Sequence, residues 1–176
     1  AYQMSAPKGH TAEWTISPVF GDMAVEALVR LSGSATDYSS AGLIVHSNYA
    51  GTNMVVFHVN PFHGSWSLDH YVYNMADADH SWHALDDGVS TALRTGDGAE
   101  NALLALARGD VILLYVNGHL VSAYSTQDHF NDNNFDAPPL IRNGYVGVYD
   151  NDGANVARFN DFTVYAIKSP PSLDYA

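Results

Sequence analysis

Residues Gly109 to Tyr124, GDVILLYVNGHLVSAY, constrain the fold more than any other stretch. Asn117-Gly118 between two apolar runs is the signature of a two-residue hairpin, because both central residues of that turn need φ > 0. In the first run Val111, Leu113 and Tyr115 fall on one face, and Ile112, Leu114 and Val116 on the other. A strand apolar on both faces has something packed on each side, so this one is predicted to lie centrally in its sheet.

The rest of the chain repeats the β signal. From Asp22 to Leu31 the alternation sets Met23, Val25, Ala27, Val29 and Leu31 on one face against Glu26 and Arg30 on the other, a half-buried strand. Ala41–His46, Met54–Asn60 and Ser65–Tyr73 are β-branched or aromatic runs bounded by Gly, Asn or Pro. A strand over Ala102–Ala107 pairs with the hairpin through the turn Arg108-Gly109-Asp110, and further strands are predicted at Trp14–Ser17, Tyr145–Tyr149 and Val156–Ile167. Residues 74 to 100 read as a long irregular rim loop or lid. About ten antiparallel strands and no amphipathic helix predict an all-β fold, an antiparallel two-sheet β-sandwich of the jelly-roll kind. The domain reading is an extended N-terminal segment over 1–18, a sandwich over 19–168 and a Pro-rich tail over 169–176.

Composition excludes several functions. The 176 residues suit one domain, and 47% hydrophobic content supplies a core without staples. There is no cysteine, so a disulfide scaffold and Cys-ligated zinc are excluded. Nineteen acidic residues against 7 basic ones give a net charge of −12, which disfavours nucleic acid and anionic membranes as partners. No run of 18 apolar residues offers a membrane span, so no membrane insertion is expected. Few Lys, 12% aromatics and many Asn, Tyr and Thr fit a secreted or cell-surface chain, and a start at Ala1 without a basic-plus-apolar leader fits either a mature secreted protein or a trimmed chain.

Taken together, Gly21-Asp22-Met23-Ala24-Val25-Glu26, Ala41-Gly42-Leu43-Ile44-Val45, Trp66, Ala107-Arg108-Gly109, Leu114-Tyr115-Val116-Asn117-Gly118, Gly144-Tyr145-Val146-Gly147-Val148 and Phe159-Asn160-Asp161-Phe162-Thr163-Val164-Tyr165 follow one order. That order resembles the concanavalin A-like, laminin-G-like jelly roll of bacterial extracellular proteins, and its pattern is shared by the 3-keto-disaccharide hydrolase family. The resemblance covers roughly Phe20 to Ile167 and implies a scaffold used by lectins, hydrolases, adhesion modules and structural domains.

Candidate sites lie in rim loops and strand faces. A flat aromatic against a sugar's apolar face, with planar polar groups for hydroxyls, is the chemistry of glycan binding. Tyr38, Tyr49, Asn60, Trp66, Tyr71, Tyr73 and Trp82 are the candidate ligand-binding residues, although a sandwich with 11 Tyr also buries several in its core. Asp132, Asn134 and Asp136 alternate as at the start of a calcium loop, but Ala137 stands where such a loop wants Gly and Asn143 where it wants Glu. Asp150 and Asp152 precede Gly153 in what reads as a turn between the last two strands, so these five residues are the candidate Ca²⁺ ligands, with Asx turns as the competing account. His58, His63, His70, His80 and His83 cluster without the spacing of a known metal site, and read as loop histidines.

Catalysis is not expected. The resemblance extends to jelly-roll glucanases, which set paired carboxylates on one strand. Here Glu13, Glu26 and Glu100 are isolated, and Asp69 and His70, being neighbours on a strand, point to opposite faces. The expected function is a non-catalytic extracellular recognition module for a carbohydrate or other cell-surface ligand. The alternatives are a self-assembling subunit of a filament, sheath or surface layer, associating through its termini, and a glycoside-processing hydrolase.

Overall fold

In a computed structural model the described residues are 2–4, 10–14, 18–36, 38–73, 81–127, 140–151 and 155–167. They form twelve strands: β1 (Tyr2–Met4), β2 (His10–Trp14), β3 (Met23–Gly33), β4 (Ser40–Ser47), β5 (Asn53–Asn60), β6 (Ser65–Val72), β7 (Trp82–Val89), β8 (Glu100–Arg108), β9 (Val111–Val116), β10 (His119–Ser125), β11 (Tyr145–Asn151) and β12 (Asn155–Ala166). No helix of the described residues is long and apolar enough to cross a membrane.

Two six-stranded antiparallel sheets face each other. One runs β1-β12-β3-β8-β9-β10 and the other β2-β11-β4-β5-β6-β7. The core between them takes alternate residues from each strand: Val25, Val29, Leu103, Leu114 and Phe159 from the first sheet, Leu43, Phe57, Leu68 and Val146 from the second. The period-2 pattern of β3 is fully realised, since Met23, Val25, Ala27, Val29 and Leu31 are all buried. In β12 that period breaks. Asp161 takes φ 53 at a bulge between Asn160 and Thr163, and beyond it Phe162 and Val164 replace the odd-numbered residues as the side chains packed on the core.

The Asn117-Gly118 turn forms as expected, with φ of 49 and 81. Its strands, however, are not central: β10 is an edge strand and β9 is next to it. Ile112, Leu114 and Val116 enter the core, whereas Leu113 and Tyr115 are only partly covered and Val111 is exposed. The strand buried on both faces is β4, every residue of which is buried, in the interior of the other sheet.

Two further expectations are corrected. The stretch read as an irregular loop over 74–100 contains β7, paired with β6 from Tyr71–Trp82 to Ser65–Val89, while 74–80 lies outside the described residues. The N-terminal segment supplies an edge strand to each sheet, β1 against β12 and β2 against β11, while residues 15–17 of the strand predicted over Trp14–Ser17 lie outside the described residues. The tail from 169 to 176 lies outside the described residues.

Candidate functional site

The outer face of the β2–β7 sheet carries a second apolar cluster. Ile44, Met54, Val56 and Tyr149 are buried there with Tyr71 and Trp82 packed on them, on the side away from the core. An apolar patch on an outer face is the floor of something. Above it lies a groove of about 1260 Å³, lined from β4, β5, β6, β7 and β11 and by Tyr38 and Tyr73 at its rims. That volume exceeds the range of a pocket for one small molecule and suits an extended ligand.

Register explains which side chains meet. Directly paired residues run across five strands as Tyr149, Gly42, His58, Ser67 and Asp87. Gly42 is what lets the large members approach. A Cβ there would lie 2.0 Å from the Phe57 carbonyl oxygen and 2.5 Å from His58 Cα, so no side chain fits. With that place empty, the rings of Tyr149 and His58 come to 5.6 Å between centroids. One end of the groove is small and polar, with Ser40, Asn60, Ser65 and Asn151; the other is aromatic, with Tyr71, Tyr73 and Trp82.

Aromatic contacts are continuous. Tyr71 and Trp82, paired across β6 and β7, have centroids 4.8 Å apart, and Trp82 and Tyr149 are 5.6 Å apart. Such rings give a partly exposed platform with polar edges. Burial, together with the negative charges of Asp69 and Asp150 and the neighbouring Tyr71, pushes the Tyr149 phenol well above its ordinary range, so it stays a protonated donor. Burial and Tyr73 likewise raise Tyr71.

Asp69 anchors the centre. Its Oδ2 lies 2.5 Å from His58 Nε2, and its Oδ1 accepts from Ser67 Oγ at 2.7 Å. The partner of Asp69 is thus the diagonal residue on the next strand, not its sequence neighbour His70, which faces the interior and meets Asn53 Oδ1 through Nε2 at 2.9 Å. The other carboxylate of the groove, Asp87, stands opposite Ser67 and is exposed. Its side chain makes no hydrogen bond or ion pair among the described residues.

Six of the seven candidate ligand residues line this groove, in different ways. Tyr71 and Trp82 form the platform, and Tyr38, 76% exposed, and Tyr73 stand at the rims. Trp66 belongs to the core and touches the groove only at its margin, packed under Gly88. Asn60 is committed to the β5–β6 turn, where its Oδ1 accepts from the N–H of Phe62 at 3.0 Å and its Nδ2 donates to the Thr36 carbonyl. Tyr49 lies outside the groove and packs edge-on to Tyr145 at 6.0 Å. The sequence reading missed His58 as a groove residue, and with it Ser67, Asp69, Asp87 and Tyr149. Their signal was there in the alternation of β5 and β6, but only strand pairing collects them.

Of the candidate calcium ligands, Asp132, Asn134, Asp136 and Asp152 lie outside the described residues. Asp150 is not in a turn: it is a strand residue of β11, fully buried on the face that carries Val146 and Val148 into the core. Among the described residues no group of three or more His, Asp or Glu is arranged to hold a metal ion. The His cluster is not a set of loop residues either, since His58, His70 and His83 are on strands and only His63 sits in a turn; His80 lies outside the described residues.

No protein-family model matches the chain, and no curated protein matches it. Solved structures do match in fold. The carbohydrate-binding module CBM66 from Bacillus subtilis superposes with a TM-score of 0.65 at 15% identity, over 93% of this chain and 99% of its own. A candidate glycosyl hydrolase from Parabacteroides distasonis gives 0.63 at 13% identity, over 94% and 87%. Chicken galectin 2 gives 0.52 at 11% identity, over 83% and 92%. At these identities the likeness is one of fold: the chain is an all-β, two-sheet sandwich of the galectin-like kind, so the expected β-sandwich stands, while the finer concanavalin A-like, laminin-G-like assignment goes beyond what these structures share with it.

Proposed function

We propose that this chain is a non-catalytic glycan-binding module, acting outside the cell, and that its ligand lies along the groove of the β2–β7 sheet. The observation that carries this reading is the platform of Tyr71 and Trp82, backed by the buried Tyr149, beside a row of hydroxyl, imidazole and carboxylate groups. Aromatic faces suit the apolar faces of sugar rings, and the flanking groups suit hydroxyls. A fold neighbour that is a carbohydrate-binding module and another that is a galectin support the same reading.

The test is a glycan array read with the unmodified chain and with Trp82→Ala, with and without EDTA. The expected result is selective binding that Trp82→Ala weakens by roughly tenfold or more, the order of losing an aromatic anchor. Among the described residues no group of three or more His, Asp or Glu is arranged to hold a metal ion, so binding through the groove's side chains is expected to survive EDTA. Absence of glycan binding in every condition sinks the proposal.

A hydrolase is the second reading, favoured by the presence of Asp69 and Asp87 in one groove. Both oxygens of Asp69 are already engaged, by His58 and Ser67, which leaves neither open to a glycosidic oxygen. Glycoside turnover abolished by Asp69→Asn would establish that reading instead. Self-assembly through the termini loses its motivation at the N-terminus, where β1 and β2 are taken up by the chain's own sheets.

A further inference from the structure

The charge of the groove restricts which glycans it accepts. Its lining contains two carboxylates, Asp69 and Asp87, and among the described residues no Lys or Arg. The arginines stand elsewhere. Arg30, Arg108 and Arg158 are on the opposite sheet, Arg142 pairs with Asp110, and Arg94 donates to the Glu100 carbonyl. Among the described residues the only basic group in the groove is the His58 imidazole, already engaged by Asp69. The whole chain adds a net charge of −12 around it. A sugar carrying a carboxylate or sulfate therefore meets repulsion with no guanidinium or ammonium to receive it.

The two carboxylates differ in availability. Asp69 is saturated by His58 and Ser67. Asp87 faces Ser67 from β7, with Trp82 and Tyr71 further along the same face, and has both acceptor oxygens open. An open carboxylate on the groove wall, with hydroxyl groups around it and no competing cation in the lining, is the arrangement that favours a protonated amine through an ion pair.

Resting on the glycan-binding reading, we propose that Asp87 sets the charge specificity of the groove, so that the ligand is a glycan bearing a protonated amino group, with neutral glycans second and uronate or sulfated ones rejected. Asp87 is a specificity-determining residue of the outer wall, and the aromatic platform supplies the contact common to all the sugars.

The experiment uses matched sets of oligosaccharides, each backbone presented in its amino, N-acetylated or hydroxyl, and uronate forms, at a pH that keeps the amine protonated. Binding is measured at low and high salt with the unmodified chain and with Asp87→Asn. The expected result is an amine-to-neutral affinity ratio of roughly three to ten at low salt, falling toward one at high salt and in Asp87→Asn. Uronate forms are expected to bind most weakly. If amino and neutral forms bind alike, if uronates bind best, or if Asp87→Asn keeps the ratio, the proposal is overturned while the glycan reading stands. If no form of any backbone binds, the glycan reading falls and this proposal with it.

Discussion

Tyr149 and His58 belong to strands that never pair with each other, yet their rings come within 5.6 Å because Gly42 stands between them without a side chain. The groove thus depends on one atom's absence. Gly42→Ala would drive a Cβ into the Phe57 carbonyl and the His58 backbone, neither of which is a flexible side-chain end. The expected outcome is a loss of about 1–3 kcal/mol, the scale of overpacking in a filled site, together with weakened ligand binding. Urea midpoints for the two proteins measure the first effect. An unchanged midpoint would mean the strands separate freely there, contrary to this account.

The rims separate two tyrosines that look alike in sequence and exposure. Tyr38 borders the groove and Tyr49, 70% exposed, does not. Tyr38→Ala is expected to weaken glycan binding by roughly threefold or more, as loss of a rim aromatic does, and Tyr49→Ala to leave it as it was. Calorimetric titration with the best array ligand checks both; equal effects would move the ligand away from this face.

Asn117 does more than turn the chain. Its Oδ1 accepts from the Ala102 N–H at 2.9 Å, and its Nδ2 donates to the Ala92 carbonyl and to Asn101 Oδ1, each at 2.8 Å. Asn117→Ala removes all three bonds and places a residue with less tolerance for φ 49. A destabilisation of roughly 2–4 kcal/mol follows from these terms. Chemical denaturation gives the value, and a cost below about 1 kcal/mol would show that the turn holds without its side chain.

Acid should weaken the fold through His46. Burial pushes this imidazole from 6.5 down to about 4, against a smaller opposing pull from Asp22. Its Nδ1 is buried without a hydrogen-bond partner, as suits a neutral ring. The unfolded chain binds the proton first, so stability is complete above about 6.5 and declines as pH falls toward about 4, by on the order of 3 kcal/mol in all. Denaturant midpoints across that window should fall less steeply for His46→Leu than for the unmodified chain; parallel slopes would rule the imidazole out.

Local pattern made much of the scaffold readable in advance. The alternation of β3 and the Asn117-Gly118 turn are local codes, and both came out as written. The apolar faces of β9 did not mean a central strand, because its outer face, with Leu113 and Tyr115 only partly covered and Val111 exposed, suits a strand next to the edge. Strand β7 was illegible for the opposite reason: WHALDDGV has two Asp and a Gly, weak strand formers, and is held by pairing with β6. The groove was half visible. Its aromatics stand out by type, but Tyr149, Gly42, His58, Ser67 and Asp87 lie far apart in sequence and become a row only through register. Reading Asp69 against His70 hid its true partner on the neighbouring strand.

Among the described residues, strand β7 is also the outermost strand of its sheet, the place where a strand from another molecule could pair. Three of its features oppose such a visitor. The register slips by one residue near Leu85, Asp86 turns inward to accept from Ser122 of the opposite sheet, and Asp87 presents charge outward. Slip, inward acid and outward acid are each ways in which natural sheets keep themselves from joining edge to edge. On the proposed reading, the wall that borders the ligand is therefore also an edge guarded against strand pairing, and a change of sugar preference made at Asp87 removes one of those guards.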